Sequence, residues 1–549
     1  MASEKREQIL EDLSYHPFKS VGDMMATHGW DRSSLSRALK NLLDAGRGAY
    51  VRHSLEGRNP IRRYHLTRAG VTALDDTTDQ DSDSPIMDRP GTTGKGIGTY
   101  HALIDNLAGV YRCASVLARC YKAPDLRTHL LSAGPLDAVV RLPDAPYSLG
   151  IMVYRPALTT YFEKKVRYYA NAGQDRPSCL LVVSPGYMAD HAVARLVALN
   201  YEGRAEIAWF GALGNPYDLV WRNPHSYDDE TRPRDTWDML DGVAAEVSRK
   251  FEPEFKPFKD VALPQAGWKP AIVLNHGERR ALYTIADWPL ANREIIAPLA
   301  ALTEGTFKKV EGALRKRGLV RLVPVSKEEK GLALTDKGIV YVCRAARADY
   351  ENAKDFWSAE DGERGKFRGG SLNKLAHDFR HTQMVYDIAG RFGVGAALVR
   401  ARGIRITPAH KVERYFRPAY ERNTRSIRPD AVIDVRLADG MRYVLLLEAE
   451  RGNMSRQQMG NRLRHYDAYF REERSKHDDP VPPVIAVVLE DAGTEANFSA
   501  AQERAELTHL PTVLTNMSEL ARSAEGPFDP VWRRAGDYGQ RRYLDELPV

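Results

Sequence analysis

Apolar positions along this chain recur in two rhythms that alternate in blocks. From residue 6 to 74 the first rhythm is helical. REQILEDL and SVGDMMATHG predict two amphipathic helices, the second ending at Gly29. Leu35, Leu39 and Leu42 place a third helix over DRSSLSRALKNLLDAG, with Asp31 as its cap and Gly46 as its stop. YVRHSLEGRNPIRRYHL then reads as a β-ribbon with a Gly-Arg-Asn-Pro tip, and LTRAG returns to helix. The same order recurs at 278–345. ERRALYTIA and ANREIIAPLAALT are helical, TEGTFKKVEGALRKRGLV is a third helix stopped by Gly318, and LALTDKGIVYV supplies a return strand and last helix.

Between and after these blocks, short β-branched runs alternate with helical ones. DAVVRL, YSLGIMVY, CLLVVS, AEIAWFG and PYDLVWRNP read as strands of an α/β unit over residues 100–224, opened by a helix at YHALIDNLAGVYRCASVLARC. A second α/β unit is expected over 371–549. Its centre is Arg428 to Gly452: DAVIDVRL, an Ala438-Asp439-Gly440 turn, and MRYVLLLEAE form a hairpin. Val444 to Leu447 is continuously apolar, as in a strand buried on both faces. Residues 76–99 are acidic, then Gly-rich, and read as a linker; their GTTGKGIG run lacks phosphate-loop spacing. Residues 225–277 read as an irregular connection, and the charged stretch 346–370 as a second linker.

The fold class expected is therefore multidomain α/β with winged-helix domains at 1–75 and 278–345. Each is followed by an α/β domain, in two tandem copies. LTRAG at 66–70 matches LTDKG at 334–338, and Asp137-Ala138-Val139-Val140 matches Asp430-Ala431-Val432-Ile433. FEKKVRYYANA lies over MGNRLRHYDAY, putting Lys165 on Arg462 and Tyr169 on Tyr466, and PYDLVWR lies over PFDPVWR. Four matches in one order, with offsets that only grow, point to duplication.

Composition narrows the class. The 549 residues are 28% charged and 43% hydrophobic, with a formal net charge of +6, which suits a soluble multidomain protein and permits a nucleic-acid partner. The four cysteines are scattered; Cys113 and Cys120 share a helix face without zinc-ligand partners, so they read as core thiols. MASEKREQIL has no apolar core and no run approaches a membrane span, so the expectation is a cytoplasmic protein without a membrane partner.

In a winged helix the third helix enters the major groove and the ribbon follows a phosphate backbone. The candidate DNA contacts are then Ser34, Arg37, Lys40 and Asn41 on the first third helix, with Arg32, Ser33 and Ser36 beside them. Arg52, Arg58, Arg62 and Arg63 on the ribbon are candidates to neutralise phosphates, and Thr306, Lys308, Lys309, Arg315 and Lys316 face outward on the second third helix. The segment before the hairpin interleaves Arg402, Arg405, Lys411, Arg414, Arg417, Arg422, Arg425 and Arg428 with Tyr415, Phe416 and Tyr420, a pattern suited to a sugar-phosphate backbone.

The chemistry concentrates at Asp430, which starts one strand, and at Glu448 and Glu450, which end its neighbour. Buried carboxylates need partners. An aspartate, then acid-x-basic, then a helix resembles the PD-(D/E)xK nuclease fold, with Arg428-Pro429-Asp430 supplying the PD and Glu448-Ala449-Glu450 the second element. The resemblance implies Asp430 and Glu448 as ligands of Mg²⁺ or Mn²⁺, with Glu450, Arg462 and His377 as further catalytic candidates. His377, Asp378 and His381 lie on the helix that opens this unit. Glu450 stands where the family has lysine, and Arg451 or Arg462 would have to supply the cation. In the first copy Met152 and Tyr154 replace Glu448 and Glu450, so that copy is expected to be a non-catalytic shell.

The signature RPDAVIDVRLADG…YVLLLEAERG…NRLRHYDAYF after a winged helix resembles the replication-relaxation family of plasmids and other mobile elements. That resemblance implies a DNA transaction, with double-stranded DNA as partner and other replication or mobilisation proteins beside it. The expectation is a DNA-binding protein that grips duplex through two winged helices as a covalent pseudo-dimer. A metal-dependent endonuclease or nickase is the first alternative, a transcriptional regulator the second.

Overall fold

A computed structural model of the chain describes residues 2–53, 60–75, 89, 91–92, 97, 100–121, 127–131, 136–141, 148–154, 165, 179–184, 208–215, 218–222, 239, 274–326, 329–346, 350–362, 366–416, 425–471, 481–534, 541–543 and 546. The protein is mixed α/β. It divides into two compact units, Met1–His276 with Val340–Tyr350, and Gly277–Ile339 with Glu351–Val549. Among the described residues no helix is long and apolar enough to cross a membrane.

The first unit opens with α1 (Ala2–Tyr15), β1 (Lys19–Ser20), α2 (Val21–His28) and α3 (Arg32–Asp44). The sequence sets these boundaries. Ser20 and Asp23 close a capping box at α2, and Gly29 ends the helix at φ 65°. Asp31 caps α3 by accepting from Ser34 N, and Leu35, Leu39 and Leu42 bury one stripe of it. β2 (Gly48–His53) and β3 (Ile61–Leu66) pair antiparallel, β1 adds to β3, and α4 (Arg68–Asp75) follows. The same order recurs from His276 on, with α6 (His276–Asp287), α7 (Arg293–Leu299), α8 (Glu304–Lys316), antiparallel β10 (Val320–Pro324) and β11 (Lys330–Leu334), and α9 (Asp336–Ala345). Asn292 and Thr303 cap α7 and α8.

The shared Leu-Thr-x-x-Gly motif has a physical cause in each unit. Thr67 Oγ1 donates to Gly46 O (2.6 Å) and accepts from Gly70 N (3.2 Å); Thr335 Oγ1 does the same with Gly318 O (2.7 Å) and Gly338 N (3.1 Å). The hydroxyl thus joins the stop of the third helix to the start of the last one. Gly70 and Gly338 are required because a Cβ there would stand 2.0 Å from Arg47 O and 2.1 Å from Leu319 O.

Each α/β portion is built on a six-stranded sheet. The first comprises β4 (Arg127–Leu130), β5 (Ala138–Arg141), β6 (Ser148–Val153), β7 (Cys179–Ser184), β8 (Ala208–Asn215) and β9 (Asp218–Arg222), side by side in that order. Only β6/β7 and β7/β8 are parallel pairs. α5 (Ile104–Tyr121) covers one face, with Ile104, Leu107, Val110, Cys113 and Leu117 in the core it shares with the sheet. Cys113 is one of the buried core thiols.

In the second unit α10 (Tyr350–Trp357), α11 (Gly370–His377) and α12 (Phe379–Leu398) precede β12 (Gly403–Pro408), β13 (Arg414–Phe416), β14 (Arg425–Ile427), β15 (Ala431–Arg436), β16 (Arg442–Glu450), α13 (Arg456–Arg471), β17 (Val484–Leu489), α14 (Ala492–Arg504), β18 (Thr512–Asn516), α15 (Met517–Arg522) and β19 (Arg533–Arg534). The sheet order is β12-β15-β16-β17-β18-β19, and again only the third–fourth and fourth–fifth pairs are parallel. Gly440 turns the β15–β16 hairpin at φ 99°, and β16 is buried from Val444 to Glu450.

Within each unit the helical portion is locked to the sheet portion by equivalent bonds. Tyr111 OH donates to Pro17 O, and Tyr386 OH to Pro289 O, both at 2.7 Å. The residues after those prolines, Phe18 and Leu290, hold left-handed backbone at φ 67° and 73°. Their amides donate to Tyr64 O (2.6 Å) and Leu332 O (2.7 Å).

Several expectations are corrected. The stretch 346–370 is not a bare linker, because Ala353, Trp357, Ser358 and Ala359 are buried and Asp361 bridges to Phe367. Its charges are used locally: Arg368 pairs with Asp336 at 3.2 Å, and Lys354 with Glu351 at 3.0 Å. Of the linker 76–99, the described Arg89 lies over the Tyr15 ring at 4.4 Å and Gly91 N donates to Ser14 O at 2.7 Å. Residues 159–172 and 191–199, between the strands, fall outside the described residues, apart from helical, buried Lys165. So does almost all of 225–277, where Met239 is buried in the first core. β4, and the β13–β14 hairpin inside the basic segment, were not foreseen.

Two glycines in one helix–hairpin block should respond oppositely. Gly338→Ala, forced against a backbone carbonyl, is expected to lose roughly 1–3 kcal/mol, whereas Gly312→Ala on the open face of α8 gains about 0.5–1 kcal/mol. Urea unfolding of the two variants beside the parent checks both signs.

Candidate functional site

Two regions collect the sequence-derived candidates. The first is the outer face of the third helices. Arg32, Ser36, Arg37, Lys40 and Asn41 are exposed on α3, opposite its leucine stripe. Ser34 is half-buried, and its hydroxyl is drawn into the cap by Asp31 and Lys5. On α8, Thr306, Lys308, Lys309, Arg315 and Lys316 are exposed opposite Phe307, Val310 and Leu314. Arg315 reaches Glu311 at 3.5 Å, but Glu311 is already held by Arg293 at 2.8 Å. Arg37, Lys40, Lys308 and Lys309 have no ion-pair partner among the described residues.

On the ribbon Arg52 and Arg62 are exposed, and Arg62 lies over the Tyr50 ring at 4.6 Å. Arg63 is a correction. It points inward, 3% exposed, pairs with Asp23 at 3.0 Å, and donates to His53 Nδ1 and Phe18 O at 3.0 Å each. Its charge holds β3 to the α2 cap, so it does not meet phosphate. Arg58 and Arg417 lie outside the described residues.

The basic segment before the PD strand is likewise largely committed. Arg414 is buried and donates to Tyr469 OH at 3.1 Å, and Phe416 belongs to the core beside that ring. Arg414 is therefore a core contact, because β13 turns it toward α13. Lys411 pairs with Asp287, and Arg428 with Glu413 at 2.9 Å. Arg402 and Arg425 remain exposed.

The second region is the acidic cluster. Asp430 sits one residue before β15, and its amide donates to Leu447 O at 2.9 Å. One step further along β16 there is no strand partner, and the Asp430 side chain supplies it: Oδ2 accepts from Ala449 N at 2.9 Å. Oδ1 accepts from His381 Nε2 at 3.2 Å. Glu448 lies under α13, where Tyr466 OH donates to Oε1 and Arg462 pairs with Oε2. The Arg462 guanidinium also lies 3.9 Å from Asp430 Oδ2. Glu450 is buried on the same strand, and its main-chain oxygen accepts from Glu490 N at 3.0 Å. Arg451 turns the other way, to Asp378 at 3.0 Å. The structure thus brings Asp430, Glu448, Arg462, His381 and Tyr466 together. His377 is exposed on α11, and the histidine that meets Asp430 is His381. Tyr466 entered the sequence reading only as a repeat match; no spacing rule marks it as a partner of Glu448.

The first unit holds its aspartate the same way. Asp137 Oδ2 accepts from Val153 N (2.7 Å), its amide donates to Ile151 O (2.8 Å), and Oδ1 accepts from Asn106 Nδ2 (2.8 Å). Asn106 stands five residues before Tyr111, as His381 stands before Tyr386. Met152 and Tyr154, buried and uncharged, occupy the strand positions of Glu448 and Glu450.

The electrostatics follow from burial. Burial pushes the Glu448 carboxyl up, to about 8, with Asp430 adding to the rise and Arg462 and Tyr466 pulling against it. The hydrogen bond to Asp430 raises the His381 imidazolium above its ordinary range, against burial. Burial, reinforced by Glu448, holds the Tyr466 hydroxyl protonated. Among the described residues no group of three or more His, Cys, Asp or Glu side chains is arranged to hold a metal ion. Comparison with known proteins finds no matching family model, no matching curated protein and no matching solved structure.

Both raised groups bind protons more tightly folded than unfolded, so both contribute stability at low pH that is lost as pH rises. For Glu448 the window runs from its unfolded value of 4.5 to about 8; for His381 it begins at 6.5. Thermal unfolding of the parent should therefore weaken between about pH 5 and 8 relative to Glu448→Gln. Equal slopes for the two chains would refute the assignment.

Proposed function

We propose that this chain binds double-stranded DNA through two winged-helix modules carried on tandem copies of one helix–sheet unit. The carrying observation is the outer face of α3 and α8. Arg37 and Lys40 on one, and Lys308 and Lys309 on the other, project to solvent without acidic partners among the described residues. Each face is backed by an apolar stripe that fixes its orientation. Unpaired cations on the helix that follows a helix-turn-helix bend, with a ribbon behind it, suit phosphate and base-edge contact. Two such modules in one chain make the second contact intramolecular and raise avidity without new contacts.

The tandem-copy reading is supported by bonds that correspond one to one in the two units: the Thr67 and Thr335 bridges, the Tyr111 and Tyr386 bonds to proline carbonyls, and the Asp137 and Asp430 clamps. The resemblance of the second half to replication-relaxation proteins favours a DNA transaction on a plasmid or other mobile element. Control of transcription would need only the same surface at a promoter.

A metal-dependent nuclease is the weaker reading. The lysine position is Glu450, and the cation nearest Glu448 is an arginine, which stays protonated and is barred from acting as a general base.

In mobility shifts, Arg37→Ala and Lys309→Ala are each expected to weaken duplex binding roughly tenfold at physiological salt, and Lys309→Ala to reduce the salt slope by about one. Arg63→Ala should instead lower thermal stability, since it strands buried Asp23. Unchanged shifts for both surface variants would sink the winged-helix reading. Supercoiled DNA with Mg²⁺ or Mn²⁺ should stay unnicked; nicking lost in Asp430→Asn and Glu448→Gln would establish the nuclease instead.

A further inference from the structure

A two-carboxylate site for Mg²⁺ has to offer oxygens that are free to approach the ion to about 2.1 Å. The cluster at the end of β16 does not. Asp430 Oδ2 is held by Ala449 N at 2.9 Å and Oδ1 by His381 at 3.2 Å. Glu448 Oε1 accepts from Tyr466 OH, and Oε2 faces Arg462. Three of the four oxygens accept hydrogen bonds, Glu448 Oε2 has none, and the Arg462 guanidinium lies within ion-pair reach of both carboxyl groups, where a divalent ion would have to sit. The residues present therefore do not fit a resident divalent metal.

We propose that Arg462 is itself the cation of this site. Its guanidinium takes the position between Asp430 and Glu448 that a metal ion takes in a nuclease-like strand pair. The cluster becomes a metal-independent strut joining the start of β15, the end of β16 and α13. Three further observations agree. A guanidinium offers planar, paired donors that suit two carboxyl groups at once. Arg462 is two-thirds covered, so its charge is spent inside the unit. In the first unit the same backbone clamp is made by Asp137 where Met152 replaces Glu448, so the aspartate has a structural task without any metal chemistry. The inference does not depend on DNA binding and is tested without DNA.

The experiment is a titration of the full chain with Mg²⁺ and with Mn²⁺ after treatment with EDTA, read by thermal unfolding and by calorimetry. The parent is expected to show no saturable heat, and a Tm in millimolar Mn²⁺ equal to that in EDTA, to within the change shown by Glu448→Gln. Arg462→Ala leaves Asp430 and Glu448 without their cation and is expected to unfold several degrees lower. A saturable, Mn²⁺-dependent rise in Tm of the parent that Glu448→Gln abolishes overturns the proposal, as does an Arg462→Ala chain as stable as the parent. The parent titration decides the matter even where Arg462→Ala does not fold.

Discussion

The interaction on which each sheet depends is an aspartate that finishes a ladder the backbone cannot finish. Where β15 begins, the amide of Ala449 on β16 runs past its last strand partner, and Asp430 Oδ2 accepts that proton. A buried amide left unpaired costs roughly 1–3 kcal/mol. The bond therefore fixes the hairpin register as well as closing one donor. A slip of one residue would turn Leu446 and Glu448 to the other face and break the core beneath α13. The cost of burying the carboxylate is offset locally, by an amide and a side-chain donor, in both units.

From that clamp outward the order of constraint is visible. The clamp sets β16. The long helix at its back supplies both the second donor to the aspartate and, five residues on, the tyrosine that reaches the proline of the helical portion. One helix thus connects sheet and helical portion through two bonds on successive turns, and α5 does the same from Asn106 and Tyr111. The third helix of each block is oriented by what lies behind it, so the cations on its outer face need no partners of their own.

Much of this was legible in the sequence because it rests on local rules. Asp31, Gly29, Gly46 and Gly318 announce helix ends through capping and positive φ; Ala438-Asp439-Gly440 announces the hairpin; and the apolar run of β16 announces a strand covered on both faces. What stayed hidden is long-range pairing of polar groups. Arg63 and Arg414 carry the same side chain as Arg62 and Arg425, and nothing in their neighbourhoods says that Asp23 or Tyr469 will claim them. His377 and His381 share a sequence neighbourhood too, and only the break between α11 and α12 decides which meets Asp430. The stretch 350–359 reads as charged filler because the buried set among its described residues, Ala353, Trp357, Ser358 and Ala359, is too small to show a period.

The contrast between the units separates scaffold from chemistry. The clamp, the tyrosine bonds and the threonine bridges occur in both, while the residues around the aspartate differ: Asn106 against His381, Met152 against Glu448, Tyr154 against Glu450. If the acidic residues served only the fold, the first unit shows that apolar side chains suffice, and burying Glu448 raises its carboxyl to about 8. A buried ionic cluster is often no more stabilising than well-packed apolar residues of like volume. Arg462 and Tyr466 compensate the burial of Glu448: remove one member and the others are left exposed to the cost of burial. The two carboxyl groups at the end of this strand pair are thus held against an arginine and a tyrosine of α13.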